Sequence, residues 1–258
     1  MEREVHTARL LARRSFSGSP LDFHLEFEAL DLDRFDFLPG QFLSILSERA
    51  RPDGRIKQET RAYSLASPPN GNRFDLCLNR VPRTENGAGF FSNLLCDLPI
   101  GDTIAFHGPH GDFVLRQPLS DCLLLGHHTG IAPLRSMLLH LFAPDGEGRS
   151  CGKHFHLLHT AETESALLYR EQFERMAGEF QNLHYLPMIE VGRPESKPEI
   201  VNGAASARLL AEIATLLAAQ PAIQTAYICG LNAMVAPVRA RLKELGWDRK
   251  QIVFERYD

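Results

Sequence analysis

Cysteine is scarce and scattered in this chain. Five are present (Cys77, Cys96, Cys122, Cys151, Cys229), an odd number at wide spacings that suits neither a disulfide framework nor a zinc site. The closely spaced cysteine runs that hold iron–sulfur clusters are missing too, so any such centre must sit on another molecule. No apolar run approaches the ~20 residues needed to cross a bilayer. The first residues, Met1-Glu2-Arg3-Glu4-Val5-His6, are charged and lack the apolar core of a secretion signal, which predicts a cytoplasmic location without membrane association. Excess positive charge is also absent. A net charge of -4 gives no overall basic field for nucleic acid. There is no internal repeat or low-complexity tract.

What is present is an ordinary globular composition, 44% hydrophobic and 23% charged over 258 residues, enough to bury the cores of two domains. The first half reads as short strands separated by turn signals, at His6 to Arg13, Phe23 to Ala29, Gln41 to Ser47, Arg61 to Ala66, Phe74 to Asn79 and Thr103 to His107. Six such strands predict a small antiparallel Greek-key β-barrel. Phe74, Leu76 and Leu78 alternate with Asp75, Cys77 and Asn79, giving one apolar face. After Arg116-Gln117-Pro118 the pattern changes. Apolar strands at Cys122 to Leu125, Phe155 to His159, Leu183 to Ile189, Ala226 to Cys229 and Ile252 to Phe254 alternate with helical periodicity at Pro133 to Phe142, Ala166 to Met176, Ala205 to Ala219 and Met234 to Leu245. That alternation predicts a Rossmann-like five-stranded parallel sheet with helices. Ser47 to Glu59 and Ala143 to Gly148 read as loops or hairpin tips. The boundary falls near Pro118, dividing residues 1–117 from 118–258.

Four segments carry chemistry. Arg61-Ala62-Tyr63-Ser64 puts a cation, a ring and a hydroxyl in an extended stretch, where alternation sends Arg61 and Tyr63 to one face and Ser64 to the other. These groups suit a pyrophosphate, the face of an isoalloxazine and its edge; an ordinary edge strand with an exposed Arg has the same sequence. Gly87-Ala88-Gly89-Phe90-Phe91-Ser92-Asn93-Leu94-Leu95 opens a short apolar helix with glycines, so its first amides and the Ser92 hydroxyl face an anion, or Ser92 simply caps the helix. Leu123-Leu124-Leu125-Gly126-His127-His128-Thr129-Gly130-Ile131-Ala132-Pro133 runs from a buried strand through a tight turn into a helix that tolerates Pro133 in its first turn, and so delivers a helix start to a phosphate. Adjacent histidines with no carboxylate or cysteine beside them make a poor metal pair. Tyr227-Ile228-Cys229-Gly230 ends a sheet strand, where Cys229 is also readable as a small buried hydrophobe.

The order and spacing of these segments, from Pro39-Gly40-Gln41-Phe42 to Phe254-Glu255-Arg256-Tyr257-Asp258, resembles the ferredoxin-NADP reductase family across nearly the whole chain. The resemblance implies an FAD-binding barrel followed by an NAD(P)-binding α/β domain. It implies hydride transfer between nicotinamide C4 and flavin N5, and single-electron exchange with a separate ferredoxin or flavodoxin. Carried onto this chain, it places Arg61, Ala62, Tyr63 and Ser64, with Gly89, Phe90, Phe91 and Ser92, around FAD. Thr129, Gly130, Pro133, Cys229, Gly230 and Met234 fall around the nicotinamide coenzyme, although Met234 also reads as core. Ser64, Cys229 and Glu255 are the catalytic candidates, with Ser64 at flavin N5 and Glu255 as a proton relay or a group that stabilises the flavin semiquinone. Tyr257 is expected over the face that nicotinamide occupies.

Three positions depart from the family pattern. His128 stands where relatives usually carry glycine, Glu162 where an Arg commonly follows the second sheet strand, and Ala204 where an Arg often follows the glycine. Arg193 matches another phosphate-binding Arg, so NADP(H) ranks slightly above NAD(H), while Glu162 suits the ribose of NAD. Tyr169 is a candidate adenine-stacking residue or a packing residue. Arg80 and Arg83 are candidates for meeting an acidic ferredoxin. Three rival readings share the motifs: the reductase component of an oxygenase, a free flavin reductase, and a redox-silent binding protein.

Overall fold

The computed structural model describes residues 4–50, 55–84, 87–190 and 205–257. The chain divides into two compact units, one of residues 1–114 with Arg135–His140 and the other of 115–134 with 141–258.

The first unit contains β1 (His6–Phe16), β2 (Ser19–Ala29), β3 (Phe42–Ala50), β4 (Ile56–Ser64), β5 (Arg73–Asn79), the helix α1 (Phe90–Asp97) and β6 (Thr103–His110). The strands form one antiparallel six-stranded sheet in the order β4-β3-β6-β1-β2-β5. Leu65, just past β4, pairs with Leu76 of β5 and joins the two edges. The alternation in β5 explains its placement. Phe74, Leu76 and Leu78 lie opposite Phe27, Leu25 and Phe23 of β2, and with Leu10, Leu43, Ile45 and Phe106 they fill the core. Each such side chain contributes roughly 1.5–3 kcal/mol on burial. Phe35 lies edge-on to Phe106 with ring centroids 5.4 Å apart, plugging this core from the β2–β3 connection.

The stretch Ser47 to Glu59, expected as a loop or hairpin tip, is the end of a hairpin in which strand continues to Ala50 and resumes at Ile56. β3 and β4 stay paired from Phe42 with Ser64 to Ala50 with Ile56, because main-chain pairing along a hairpin continues through polar residues when one partner is already in register. Its turn, Arg51 to Gly54, lies outside the described residues.

The second unit has β7 (Cys122–His127), α2 (Ile131–Leu141), β8 (Phe155–Ala161), α3 (Arg170–Glu179), β9 (Leu183–Ile189), α4 (Ala207–Ala219), β10 (Thr225–Gly230), α5 (Asn232–Glu244) and β11 (Ile252–Arg256); Arg135–His140 of α2 is counted with the first unit. Its strands are parallel, in the order β11-β10-β7-β8-β9. Every residue of β7, β8 and β10 is buried, which is why these strands read as continuous apolar runs. Leu209 and Ile213 of α4, and Val235, Val238 and Leu242 of α5, close one side against Leu123, Leu125, Ala226 and Ile228. Pro237 inside α5 leaves the Ala233 carbonyl without its helical donor, and the Ala205 amide fills that role at 3.4 Å.

The helix expected over Ala166 to Met176 is split. A 3-10 turn spans Glu164–Ala166, and α3 begins only at Arg170 after Tyr169 at φ 61. Ala166 and Leu167 instead pack with Ala161 and Ile189 as a small separate cluster, which pulls them off the α3 axis. No helix among the described residues is long and apolar enough to cross a membrane.

Candidate functional site

In the first unit, Arg61, Ala62, Tyr63 and Ser64 form the last four residues of β4. Tyr63 packs partly against the barrel core. Burial pushes its phenol up, while the neighbouring Arg61 guanidinium pulls the other way. The cation and the ring therefore share a neighbourhood, as alternation along a strand requires.

α1 starts at Gly89, which has φ 76 and no side-chain cap on the helix start. A Cβ on Gly89 would stand 2.4 Å from the Val81 carbonyl oxygen, so only glycine permits this close turn. The first amides of α1 are left without a side-chain acceptor, and its first turn carries no acidic residue. That start suits an anion such as a pyrophosphate.

Ser92 does not serve as the cap or point its hydroxyl at an anion. Its Oγ accepts from the Val81 amide at 3.1 Å and donates to the Gly89 carbonyl at 3.2 Å, so the hydroxyl of this third residue of α1 is taken up by the backbone around the helix start. Phe91 is buried in the core, so it presents its backbone only. The residue that builds this turn escaped the sequence reading. Asn93 donates through Nδ2 to both Val81 O at 2.7 Å and Gly89 O at 2.8 Å, and accepts from Arg80 Nε at 2.9 Å. Its only sequence signal is a buried Asn directly after Ser92. Arg80 and Arg83 both pair with Asp97.

In the second unit, β7 ends at His127, a 3-10 turn covers His128–Gly130, and α2 follows at Ile131. His128 has φ 50, the left-handed backbone that glycine adopts at no cost, so the histidine keeps the turn a glycine would make. A Cβ on Gly130 would lie 2.3 Å from the Cys229 carbonyl oxygen. The turn after β7 and the end of β10 thus touch backbone to backbone. Pro133 is buried within the first turn of α2, which begins two residues earlier than the sequence suggests because the 3-10 turn leads directly into it.

The C-terminal strand brings Tyr257 to the same place. Its amide donates to Gly230 O at 3.3 Å, and its hydroxyl lies 3.1 Å from Thr129 Oγ1 and donates to His127 O at 3.4 Å. Glu255 stands opposite Cys229 in the β10–β11 register. Cys229 is wholly buried, and burial, with Glu255 adding to it, raises its thiol well above the usual range; it is a neutral packing thiol whose carbonyl shapes the turn. Met234 is 1% exposed within the core cluster, as its reading as a core residue implies, and a Cβ on Gly230 would stand 2.7 Å from its terminal methyl carbon. Arg193 and Ala204 lie outside the described residues.

His127 is buried between two partners, with Nδ1 2.9 Å from Thr160 Oγ1 and Nε2 3.2 Å from Glu162 Oε1. The hydrogen bond from His127 holds the Glu162 carboxyl down at about 2, so it is ionised at neutral pH.

Comparison with known proteins matches both halves. Residues 8–115 match the oxidoreductase FAD-binding domain model and residues 124–240 the oxidoreductase NAD-binding domain model. The chain is 36% identical over 263 residues to ferredoxin–NADP reductase B of Sorangium cellulosum, covering 100% of both chains. It is 35% identical to the chloroplastic leaf isozyme 1 of Arabidopsis thaliana over 53% of this chain and 41% of that one. Among solved structures, the ferredoxin-NADP+ reductase from Plasmodium falciparum superposes with a TM-score of 0.75 at 21% identity, over 97% of this chain and 95% of the other. That from Neisseria gonorrhoeae gives a TM-score of 0.74 at 20% identity over 99% of each. The readings as an oxygenase component, free flavin reductase or silent binding protein are not favoured by this set. The chain belongs to the ferredoxin-NADP reductase family and is an FAD-dependent oxidoreductase that moves electrons between NAD(P)H and flavin.

Proposed function

We propose that this protein is a cytoplasmic reductase that exchanges electrons between NAD(P)H and a separate ferredoxin or flavodoxin, with residues 1–117 holding FAD and 118–258 holding the coenzyme. The observation that carries the reading is a pair of glycine-dependent turns, at Gly89 and Gly130, each leading into a helix whose first turn is free of acidic side chains. Two such turns suit two anionic dinucleotides. Bound FAD would supply the hydride acceptor at N5 and the capacity to release electrons singly.

The chain's own groups take defined parts. Arg61 and the amides of Phe90, Phe91 and Ser92 bind the FAD pyrophosphate, Tyr63 lies on the ring system, and the Ser64 hydroxyl meets its edge. Thr129 and Gly130 hold the coenzyme phosphates, and Gly230 admits the nicotinamide. Tyr257 covers the turn, Glu255 relays protons, and Arg193 meets the coenzyme from outside the described residues. Arg80 and Arg83 face the protein partner.

Anaerobic stopped-flow absorbance tests the reading. Flavin bleaching on mixing with NADPH or NADH is expected, followed by reoxidation when ferredoxin or flavodoxin is added. A flavin that neither coenzyme bleaches would sink it.

A further inference from the structure

The segment that follows Ser64 is clamped by side chains from α2. Ser64 is the last residue of β4 to pair with β3, opposite Phe42, and Pro68 and Pro69 keep the strand from running on. Between them lie Ala66 and Ser67, both buried, whose carbonyls need donors. Consecutive residues of α2 provide them. Arg135 Nη1 donates to Ala66 O at 2.6 Å, and Ser136 Oγ donates to Ser67 O at 2.6 Å. Asp75 of β5 closes the clamp. Its Oδ2 accepts from Arg135 at 3.3 Å, its amide donates to Ser67 Oγ at 2.9 Å, and its carbonyl accepts from the Ala66 amide at 2.8 Å.

Arg135 is 8% exposed. Burying a guanidinium is expensive, and apolar residues in place of a buried ion pair are often neutral or stabilising, so fold stability alone gives little reason for a cation here. One turn of α2 also bears on the other side of the same segment. Met137 packs so closely on Gly40 that a Cβ there would stand 2.4 Å from its terminal methyl carbon. The next residue, Gln41, accepts from the Leu65 amide at 3.0 Å. Three consecutive residues, Leu65 to Ser67, are thereby tied down directly after Ser64.

We propose that Arg135, with Ser136, is a positioning residue for the electron transfer: it fixes the chain two residues past Ser64 and so sets the Ser64 hydroxyl against the flavin edge. This deepens the reductase reading and rests on the place given there to Ser64. Hydrogen bonds weaken steeply with misalignment, and a small displacement of a positioned group is costly in rate.

The test uses the FAD-loaded protein. Arg135→Met removes the donors and keeps an unbranched chain. Its FAD content is expected near wild type, because Arg61 and the Gly89 turn remain, while the limiting rate of anaerobic flavin bleaching falls about 10- to 100-fold. The long-wavelength absorption band of the bound oxidised flavin should shift the same way in Arg135→Met as in Ser64→Ala. Arg135→Lys, which keeps a charged donor, should recover part of the rate, and Ser136→Ala should lower it by a smaller factor; these two carry the test if Arg135→Met does not fold. Combining Arg135→Met, or failing that Ser136→Ala, with Ser64→Ala shows the route. If the clamp acts through Ser64, the double variant is no slower than Ser64→Ala alone, since residues that act as a unit do not add. A limiting rate per bound flavin, or an absorption band, equal to wild type in the folded variants would overturn the proposal and leave the reductase reading in place, as would a double variant slowed by the product of the single effects. Unimpaired bleaching in Ser64→Ala would remove Ser64 from the flavin edge and the proposal with it. Failure of both coenzymes to bleach the wild type would overturn the reductase reading itself.

Discussion

Gly130 and Cys229 meet backbone to backbone, with the space for a Gly130 Cβ only 2.3 Å from the Cys229 carbonyl oxygen. The turn after β7 and the end of β10 are therefore held at a separation that only glycine allows. Gly130→Ala should push them apart at a cost of about 1–3 kcal/mol. FAD content should stay near wild type, because Arg61 and the Gly89 turn belong to the other unit, while bleaching by NAD(P)H slows sharply. Thermal unfolding and stopped flow measure the two effects; unimpaired bleaching would remove the turn from the coenzyme site.

Asn93 ties Val81 to Gly89 through one amide group. Asn93→Ala takes the side-chain donor from Val81 O and leaves Gly89 O to the Ser92 hydroxyl and the main-chain amide of residue 93, at a cost of about 1–3 kcal/mol. The glycine turn should loosen, and FAD should be lost on gel filtration more readily than from wild type. Flavin retained at full stoichiometry would show that the turn does not depend on Asn93.

Arg61→Ala removes the one cation in the last four residues of β4. A charge-assisted contact to a pyrophosphate is worth roughly 1.5–3 kcal/mol, so FAD affinity should fall by about 10- to 100-fold. Flavin content of the purified variant checks this, and an unchanged content rejects the pyrophosphate role.

Tyr257→Phe keeps the ring and deletes the hydroxyl contacts to Thr129 and His127. Losing them should cost about 0.5–1.5 kcal/mol. Its own amide, bonded to Gly230, should then exchange several-fold faster with deuterium if the tail opens locally. Equal exchange in both proteins would mean that the backbone bond alone holds the tail.

Acid should destabilise the fold through its buried histidines. Burial lowers His24 and His159 to about 3 and His156 to about 4, with the nearby charges of Arg135, His127 and His184 respectively adding to the effect. A depressed imidazole means that the unfolded chain binds the proton first. Stability is therefore full above about 6.5 and falls as the pH drops toward the folded values, by about 1–2 kcal/mol per group between pH 6.5 and 5. Urea unfolding at several pH values should show this slope, reduced in His159→Phe; a slope that is flat, or identical in the variant, would contradict the assignment.

Much was legible before the structure. Period-two alternation in Phe74 to Asn79, unbroken apolar runs such as Cys122 to Leu125, and helical spacing in Ala205 to Ala219 are local properties of the chain, and local geometry dictates them. The glycine-bearing turns were legible for the same reason, since a left-handed or crowded backbone leaves its mark on a single position. Tertiary structure alone decided what joins distant positions. Ser92 became a backbone tie because of what stands opposite it, and neighbouring residues in sequence do not encode that. The pairing of His127 with Glu162 spans 35 residues, and the placing of Glu190 beside Ala161 depends on parallel strands lying in one register. The sequence by itself determined most of the elements and the two glycine-bearing turns. Only the packing of one element on another decided which side chains remain to meet a ligand, because hydrogen bonding and burial are settled between segments rather than along them.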